Sequence, residues 1–233
     1  MNEEFRSIII QSSLMQNISP DGFDQAIQIG SLRSVTQNGF FFMQGDEATH
    51  AYVLIKGLVK MLQLTPTGTQ ITLRMMTPSQ TFGGIAILNP KTGYPATAQA
   101  AEGSLAIAWR TEDLREIASK EPSLSLNTMS LMHGYILELQ LRQKSLVGDR
   151  VVKRIARILL KLASETGKIV TDGILINMPL SRQDVAEMSG TTLYTVSRTM
   201  SEWERIGILK IGREKVIIQD PHALVRISDD LIE

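Results

Sequence analysis

Two sets of side chains near the C-terminus have the types and spacing to read a polyanion. Arg198 carries a planar fork of N–H donors that can pair in two prongs with O6 and N7 of guanine, and Tyr194 stands one helical turn before it. Ser181, Arg182 and Gln183 place a hydroxyl, a cation and an amide in a row. Lys210, Arg213 and Lys215 bring further positive charge. By contrast, no nucleophile–base pair, metal cluster or phosphate-cradling loop is present. The scattered His50, His133 and His222 offer little acid–base chemistry, which argues against an enzyme.

The elements that must hold these groups are two short helices. Ser181 is followed three residues later by Asp184, a capping-box start in which both side chains satisfy free backbone N–H groups. Val185, Ala186 and Met188 give that helix an inward face, Gly190 suits its end, and Thr191 or Thr192 caps the next helix. Leu193, Val196, Met200 and Trp203 recur at spacings of three and four and predict one buried face. Tyr194, Thr195, Arg198, Ser201, Glu202 and Arg205 are left facing outward. A helix-turn-helix sets its second helix in the major groove with just such outward residues on base edges; an ordinary helical hairpin with a solvated face is the alternative. Residues 204–218 then read as a helix end, a strand, a two-residue turn near Gly212-Arg213 and a second strand, so the unit is expected to be a winged helix.

The run Ser181-Arg-Gln-Asp-Val-Ala186, with Gly190-Thr-Thr-Leu-Tyr-Thr-Val-Ser-Arg198 and Glu204-Arg-Ile-Gly-Ile-Leu209, resembles the C-terminal domain of the Crp/Fnr family of bacterial transcription regulators. The resemblance implies that Ser181, Arg182 and Gln183 meet phosphates, that Arg198 reads a guanine, and that Thr192, Tyr194 and Thr195 border the DNA. Many members have glutamate where this chain has Tyr194. A tyrosine cannot repeat that glutamate's acceptance from cytosine, so the half-site need not be the familiar one.

At 233 residues the chain is long enough for two modest domains, and its 24 basic and 24 acidic residues cancel. Their distribution is uneven, with 12 basic against 8 acidic residues from Gly148 to Ile217 and 11 against 12 before it. The absence of cysteine excludes disulfides and cysteine-ligated iron–sulfur clusters. No signal peptide and no membrane-length apolar run is visible, which predicts a cytoplasmic protein without a membrane partner.

Helices are expected around Phe5–Met15 and from Ser19-Pro20 onward, and residues 34–109 break into short β-runs punctuated at Gly45, Gly57, Pro66, Gly68, Pro78 and Gly83-Gly84. Such runs predict a small sandwich or barrel. Gln44-Gly-Asp46, Ile55-Lys-Gly-Leu-Val-Lys60 and Thr81-Phe-Gly-Gly-Ile-Ala-Ile-Leu88 sit where the same family has its roll signatures, and the resemblance implies an α+β fold: an N-terminal cyclic-nucleotide-binding-like β-roll, a long dimerisation helix and a C-terminal winged helix-turn-helix. The expected divisions are residues 1–120, 121–147 and 148–233. Cyclic AMP receptors of the family hold the ribose with a glycine-glutamate-leucine turn and the phosphate with an arginine-serine pair. The corresponding residues here are Gly83-Gly84-Ile85 and Tyr94-Pro95, and Leu139-Gln140 stands where a threonine-serine pair meets the base. A buried phosphate without a cation costs several kcal/mol, which argues against cyclic AMP. An effector pocket, if open, is expected around Gly83, Gly84, Ala86, Tyr94 and Thr97; a purely structural glycine turn is the alternative. Haem is another reading, with His133 as its candidate ligand.

From Glu121-Pro122 a helix is predicted to run to about Val147, with Met129, Met132, Ile136, Leu139, Gln143 and Leu146 forming the stripe of a coiled coil. The expectation is a homodimer on a pseudo-palindromic double-stranded site, with a hinge at Gly148-Asp149 and an amphipathic helix from Arg150 to Ala163 leading into the DNA domain. The family resemblance further implies a signal acting at the roll, contact with RNA polymerase, and activation.

Overall fold

Asn2 and Ser19 begin the first two helices, α1 (Glu3–Ile10) and α2 (Pro20–Ile29), by accepting backbone N–H bonds with their side chains. The computed structural model describes residues 2–65, 68, 70–89 and 92–229. It divides into two units, Met1–Glu138 and Leu139–Glu233. The first helix is shorter than its sequence suggests. After Ile10 the chain folds into turns, with Asn17 at φ 55°, and those turns still bury Leu14 and Met15.

Eight strands follow: β1 (Ser31–Val35), β2 (Phe40–Phe42), β3 (His50–Lys56), β4 (Val59–Leu64), β5 (Gln70–Met76), β6 (Thr81–Phe82), β7 (Thr97–Ala100) and β8 (Ser104–Arg110). They form two antiparallel four-stranded sheets, ordered β1-β8-β3-β6 and β2-β7-β4-β5. Side chains alternate across a strand, and β3 divides its residues accordingly. Ala51, Val53 and Ile55 join one core, while Tyr52 and Leu54 join another. β8 does the same, with Ile107 and Trp109 on one side and Ala106 and Ala108 on the other. The first core packs the sheet against α1, α2, α3 (Ile85–Leu88), α4 (Thr111–Lys120) and the start of α5 (Pro122–Gly148). Trp109 fastens it by donating from Nε1 to the Ala26 carbonyl at 2.7 Å. The second core lies inside the roll, where small alanines leave room for Phe41, Phe42, Tyr52, Phe82 and Tyr94. Because both faces are buried, these strands read as continuous apolar runs. Of the expected punctuation, Pro66 lies outside the described residues.

The second unit contains the end of α5, then α6 (Val151–Thr166), β9 (Gly167–Val170), β10 (Gly173–Ile176), α7 (Arg182–Ser189), α8 (Leu193–Arg205), β11 (Leu209–Gly212), β12 (Lys215–Ile218) and α9 (Pro221–Ser228). Ile155, Leu159 and Leu162 are buried on α6, and Val151 and Ile158 are half-buried. The wing belongs to a four-stranded sheet ordered β11-β12-β10-β9. Its turn lies one residue beyond the expected place: Gly212 pairs with Lys215, so the loop is Arg213-Glu214, and Glu214 takes the left-handed φ of 53°.

Candidate nucleic-acid interface

The helix pair is built from local hydrogen bonds. The Ser181 hydroxyl accepts from the Asp184 amide at 3.1 Å and the Asp184 carboxylate accepts from the Ser181 amide at 3.1 Å, a complete capping box. Gly190 ends α7 in the left-handed conformation at φ 61°. Thr192 caps α8 by accepting from the Thr195 amide at 3.2 Å, and the two threonine hydroxyls lie 2.9 Å apart. Val185 and Ala186 are buried as expected. Met188 is only half-buried and Ser189 is buried beside it, its hydroxyl donating to the Val185 carbonyl at 2.6 Å.

On α8, Val196, Met200 and Trp203 are buried. Leu193 departs from the expected face: it occupies the first turn, where no neighbour covers it fully, and is 47% exposed. Tyr194 is 75% exposed, and Arg198 is exposed one turn later. Thr195 is half-buried with its hydroxyl at the cap. Among the other basic and polar residues, Gln183, Arg213 and Lys215 are exposed and Arg182 is half-buried. Gln183 donates to Glu187 at 2.9 Å, and Arg182 reaches the Ser201 hydroxyl at 3.4 Å. Lys210 is paired with Asp172 of the β9–β10 turn. The Leu180 amide donates to the Glu214 carbonyl at 3.2 Å, which ties the wing's tip to the start of α7.

The turn between the motif helices is braced by arginines that sequence reasoning missed. Arg154 donates to the carbonyls of Ser189 at 2.8 Å, Gly190 at 3.3 Å and Asp149 at 2.9 Å. Arg142 donates to the Glu187 carbonyl at 3.1 Å. Arg154 thus binds carbonyls at the end of α7, where intrahelical donors run out, and Arg142 adds a second donor to the Glu187 carbonyl, which also accepts from the Gly190 amide at 3.4 Å. The signal for Arg154 was available: it shares a helical stripe with Val151 and Ile158 and is the polar interruption in it. Asp149, at the expected hinge, accepts from the Ser145 hydroxyl at 2.6 Å, with Lys153 at 3.3 Å and Arg157 also in contact. The Ser145 bond first, then the two cations, hold this carboxyl below its ordinary range.

The expected effector pocket is differently furnished. Gly83 has φ 72°, and a Cβ there would lie 3.0 Å from the His50 carbonyl oxygen and 3.1 Å from the rings of Phe42 and Tyr52, so its space is filled by aromatic packing. Tyr94 is buried and stacks on Phe42 at 3.7 Å. Its hydroxyl donates to the His50 carbonyl at 2.7 Å and accepts from the His50 amide at 3.0 Å. Burial raises its pKa. Thr97 is buried and accepts from the Gln44 amide at 2.9 Å. Gly83, Tyr94 and Thr97 are thus engaged in contacts within the roll. Gly84, by contrast, has room for a methyl group, whose nearest neighbours would be 3.8 and 3.9 Å away. Ile85 is half-buried, and the Ala86 side chain lies outside the described residues.

On α5, Met129, Ile136, Leu139, Gln143 and Leu146 are exposed and Met132 is half-buried. Leu146 also reaches toward Gly190, where its Cδ2 would lie 2.6 Å from an added Cβ. Gln140 and His133 are exposed on the same helix. Among the described residues no three metal-capable side chains gather, and no helix is long and apolar enough to cross a membrane.

Comparison with known proteins agrees with this architecture. The family described as a cyclic nucleotide-binding domain matches residues 32–121, and the Crp-like helix-turn-helix domain matches residues 153–227. The global nitrogen regulator of Synechocystis sp. is 27% identical over 186 residues, which cover 78% of this chain and 82% of that protein. The CRP-like cAMP-activated global transcriptional regulator of Mycobacterium tuberculosis is 22% identical over 94% of this chain and 97% of its own. Among solved structures, FixK2 from Bradyrhizobium japonicum superposes with a TM-score of 0.76 at 20% identity, covering 85% of this chain and 97% of that one. A CRP-family transcriptional regulator from Thermus thermophilus gives 0.70 at 25% identity, covering 84% and 96%. With a cyclic-nucleotide-binding roll and a Crp-like helix-turn-helix in one polypeptide, the chain belongs to the Crp/Fnr family of DNA-binding transcription regulators.

Proposed function

We propose that the chain works as a homodimeric activator, with α8 of each copy in the major groove of one half-site. The observation that carries this reading is the division of α8 into a buried Val196–Met200–Trp203 face and an exposed face bearing Tyr194 and Arg198. Arg198 pairs with guanine, and Tyr194 meets the neighbouring base. Arg182, Gln183, Arg213 and Lys215 lie along phosphates, while Ser181, Thr192 and Thr195 orient the helix ends through their caps. The exposed Met129, Ile136 and Leu139 stripe, with Met132, Gln143 and Leu146, packs against a second copy, because an apolar stripe at this spacing favours coiled-coil pairing. Two copies then read half-sites about one helical turn apart. A signal at the roll shifts the balance between two dimer states, and RNA polymerase is the partner on the promoter.

The M. tuberculosis relative is named for activation by cyclic AMP. The residues here do not fit that ligand's phosphate. Tyr94 occupies the cation's place, and its hydroxyl is already bonded twice to His50. Gly84, at the glutamate's place, has no side chain to accept from a ribose hydroxyl. The roll therefore responds to different chemistry.

The test is selection of a binding site from random duplexes, followed by Arg198→Ala. Loss of about 1–3 kcal/mol of discrimination at one base pair is expected, without a change in melting temperature. Unchanged base preference would overturn the reading. Ile136→Glu combined with Leu139→Glu should give a monomer by sedimentation; a persistent dimer would place the interface elsewhere.

A further inference from the structure

A second polar constellation lies in the first unit, away from Tyr94 and Thr97. Arg74 is a lone cation in the apolar strand β5, and its guanidinium lies over the Tyr135 ring, 5.0 Å from the centroid. Its Nη1 meets Glu138 at 3.5 Å, with the two side chains 25% and 31% exposed. The Tyr135 hydroxyl donates to the Thr81 carbonyl at 2.9 Å, so one tyrosine spans the distance between Arg74 and Thr81. Two polar atoms of this group make no hydrogen bond: Nε of Arg74 and Oγ1 of Thr81, although Thr81 is only 4% exposed. The roomy side of Gly84 faces the Thr81 methyl group.

A buried donor left unmatched carries a desolvation cost that a ligand can remove. Arginine's Nε edge is shaped for a carboxylate, which accepts there in two prongs. We propose that Arg74, Thr81 and Tyr135 form a binding site for a small organic carboxylate, whose oxygens accept from the Arg74 Nε–H and the Thr81 hydroxyl. Glu138 already shows that the guanidinium holds a carboxylate. The site offers one cation already facing one anion, which suits a singly charged carboxylate better than a doubly charged phosphate. The contact to Glu138 is long and partly solvated, and such pairs are weak. A bound carboxylate therefore competes with Glu138 of α5 for Arg74. The inference rests on the reading of the roll as the sensor.

Arginine Nε–H groups give resolved signals in nitrogen-15 correlation spectra, so binding can be followed on the full-length protein at Arg74 itself, its signal identified by its loss in Arg74→Lys. The probes are the monoanions acetate and propionate, against sodium chloride at matched ionic strength. A saturable shift of the Arg74 signal with the carboxylates but not with chloride is expected. Thr81→Val should weaken binding roughly threefold to tenfold, the range for one lost hydrogen bond. Glu138→Gln should strengthen it by removing the competitor, and both variants serve even if Arg74→Lys fails to fold. No saturable shift, the same shift in chloride, or unchanged affinity in Thr81→Val would overturn the site. Carboxylate binding that leaves affinity for the selected DNA unchanged would keep the site and sink the roll-to-DNA coupling instead.

Discussion

The Nε–H of Arg154 donates to the carbonyl of Ser189 at 2.8 Å, so a side chain from α6 closes the end of the first motif helix. The same guanidinium reaches the Gly190 and Asp149 carbonyls. One residue thus joins the α5–α6 junction to the turn that orients α8. α8 is positioned by this inner network as well as by its own cap.

Arg154→Met keeps the length of the side chain and removes every donor. Unpaired carbonyls should then cost the second unit about 1–3 kcal/mol, read by denaturant unfolding at Trp203. Arg154→Lys should restore only part of this, since an ammonium lacks the planar fork. Equal stability of wild type and Arg154→Met would show that water replaces these bonds without loss.

Asp149 predicts a pH dependence. Its folded pKa is depressed by Ser145, Lys153 and Arg157. A depressed carboxyl binds its proton less readily folded than unfolded, so its stabilisation is present above the unfolded value of about 3.9 and is lost as pH falls through the lower folded value. Asp149→Asn should flatten the acid limb of the stability curve below about pH 4. Acid limbs that superimpose in the two proteins would exclude this role.

Tyr94→Phe separates scaffold from pocket. The ring can still stack on Phe42, but the His50 carbonyl loses a 2.7 Å bond and its amide a 3.0 Å one. A stability loss of about 1–3 kcal/mol in the first unit is expected by calorimetry. A protein of unchanged stability but altered response to effectors would return Tyr94 to the pocket.

Much of the second unit was legible because its signals are local. The Ser181–Asp184 box, the left-handed Gly190 and the Val196–Met200–Trp203 face depend on neighbours within four residues. Leu193 was misplaced because periodicity assigns a face without saying where the covering elements end. The wing's turn was shifted by one residue because glycine drew the assignment, whereas Glu214 holds the positive φ. β9, β10 and α9 went unseen because they are short; β9 pairs locally with β10, and only the other edge of β10 depends on the distant β12. In the roll, the strands were visible as apolar runs, but their division between two cores was not. Arg74, Thr81, Tyr135 and Glu138 come together from β5, β6 and α5, so their meeting could not be read from spacing.

The Lys210–Asp172 pair bears on how the protein responds to ionic strength. DNA binding draws much of its strength from counterions released as cations replace them on phosphates, with a slope of roughly −0.9 in log K against log salt per phosphate neutralised. An ammonium already held by a carboxylate must give up that partner before it can displace a counterion. In the proposed complex Lys210 would therefore add little to the slope, while exposed Arg213 and Lys215 would contribute in full. Asp172→Asn would steepen the salt dependence without changing which sequence is preferred.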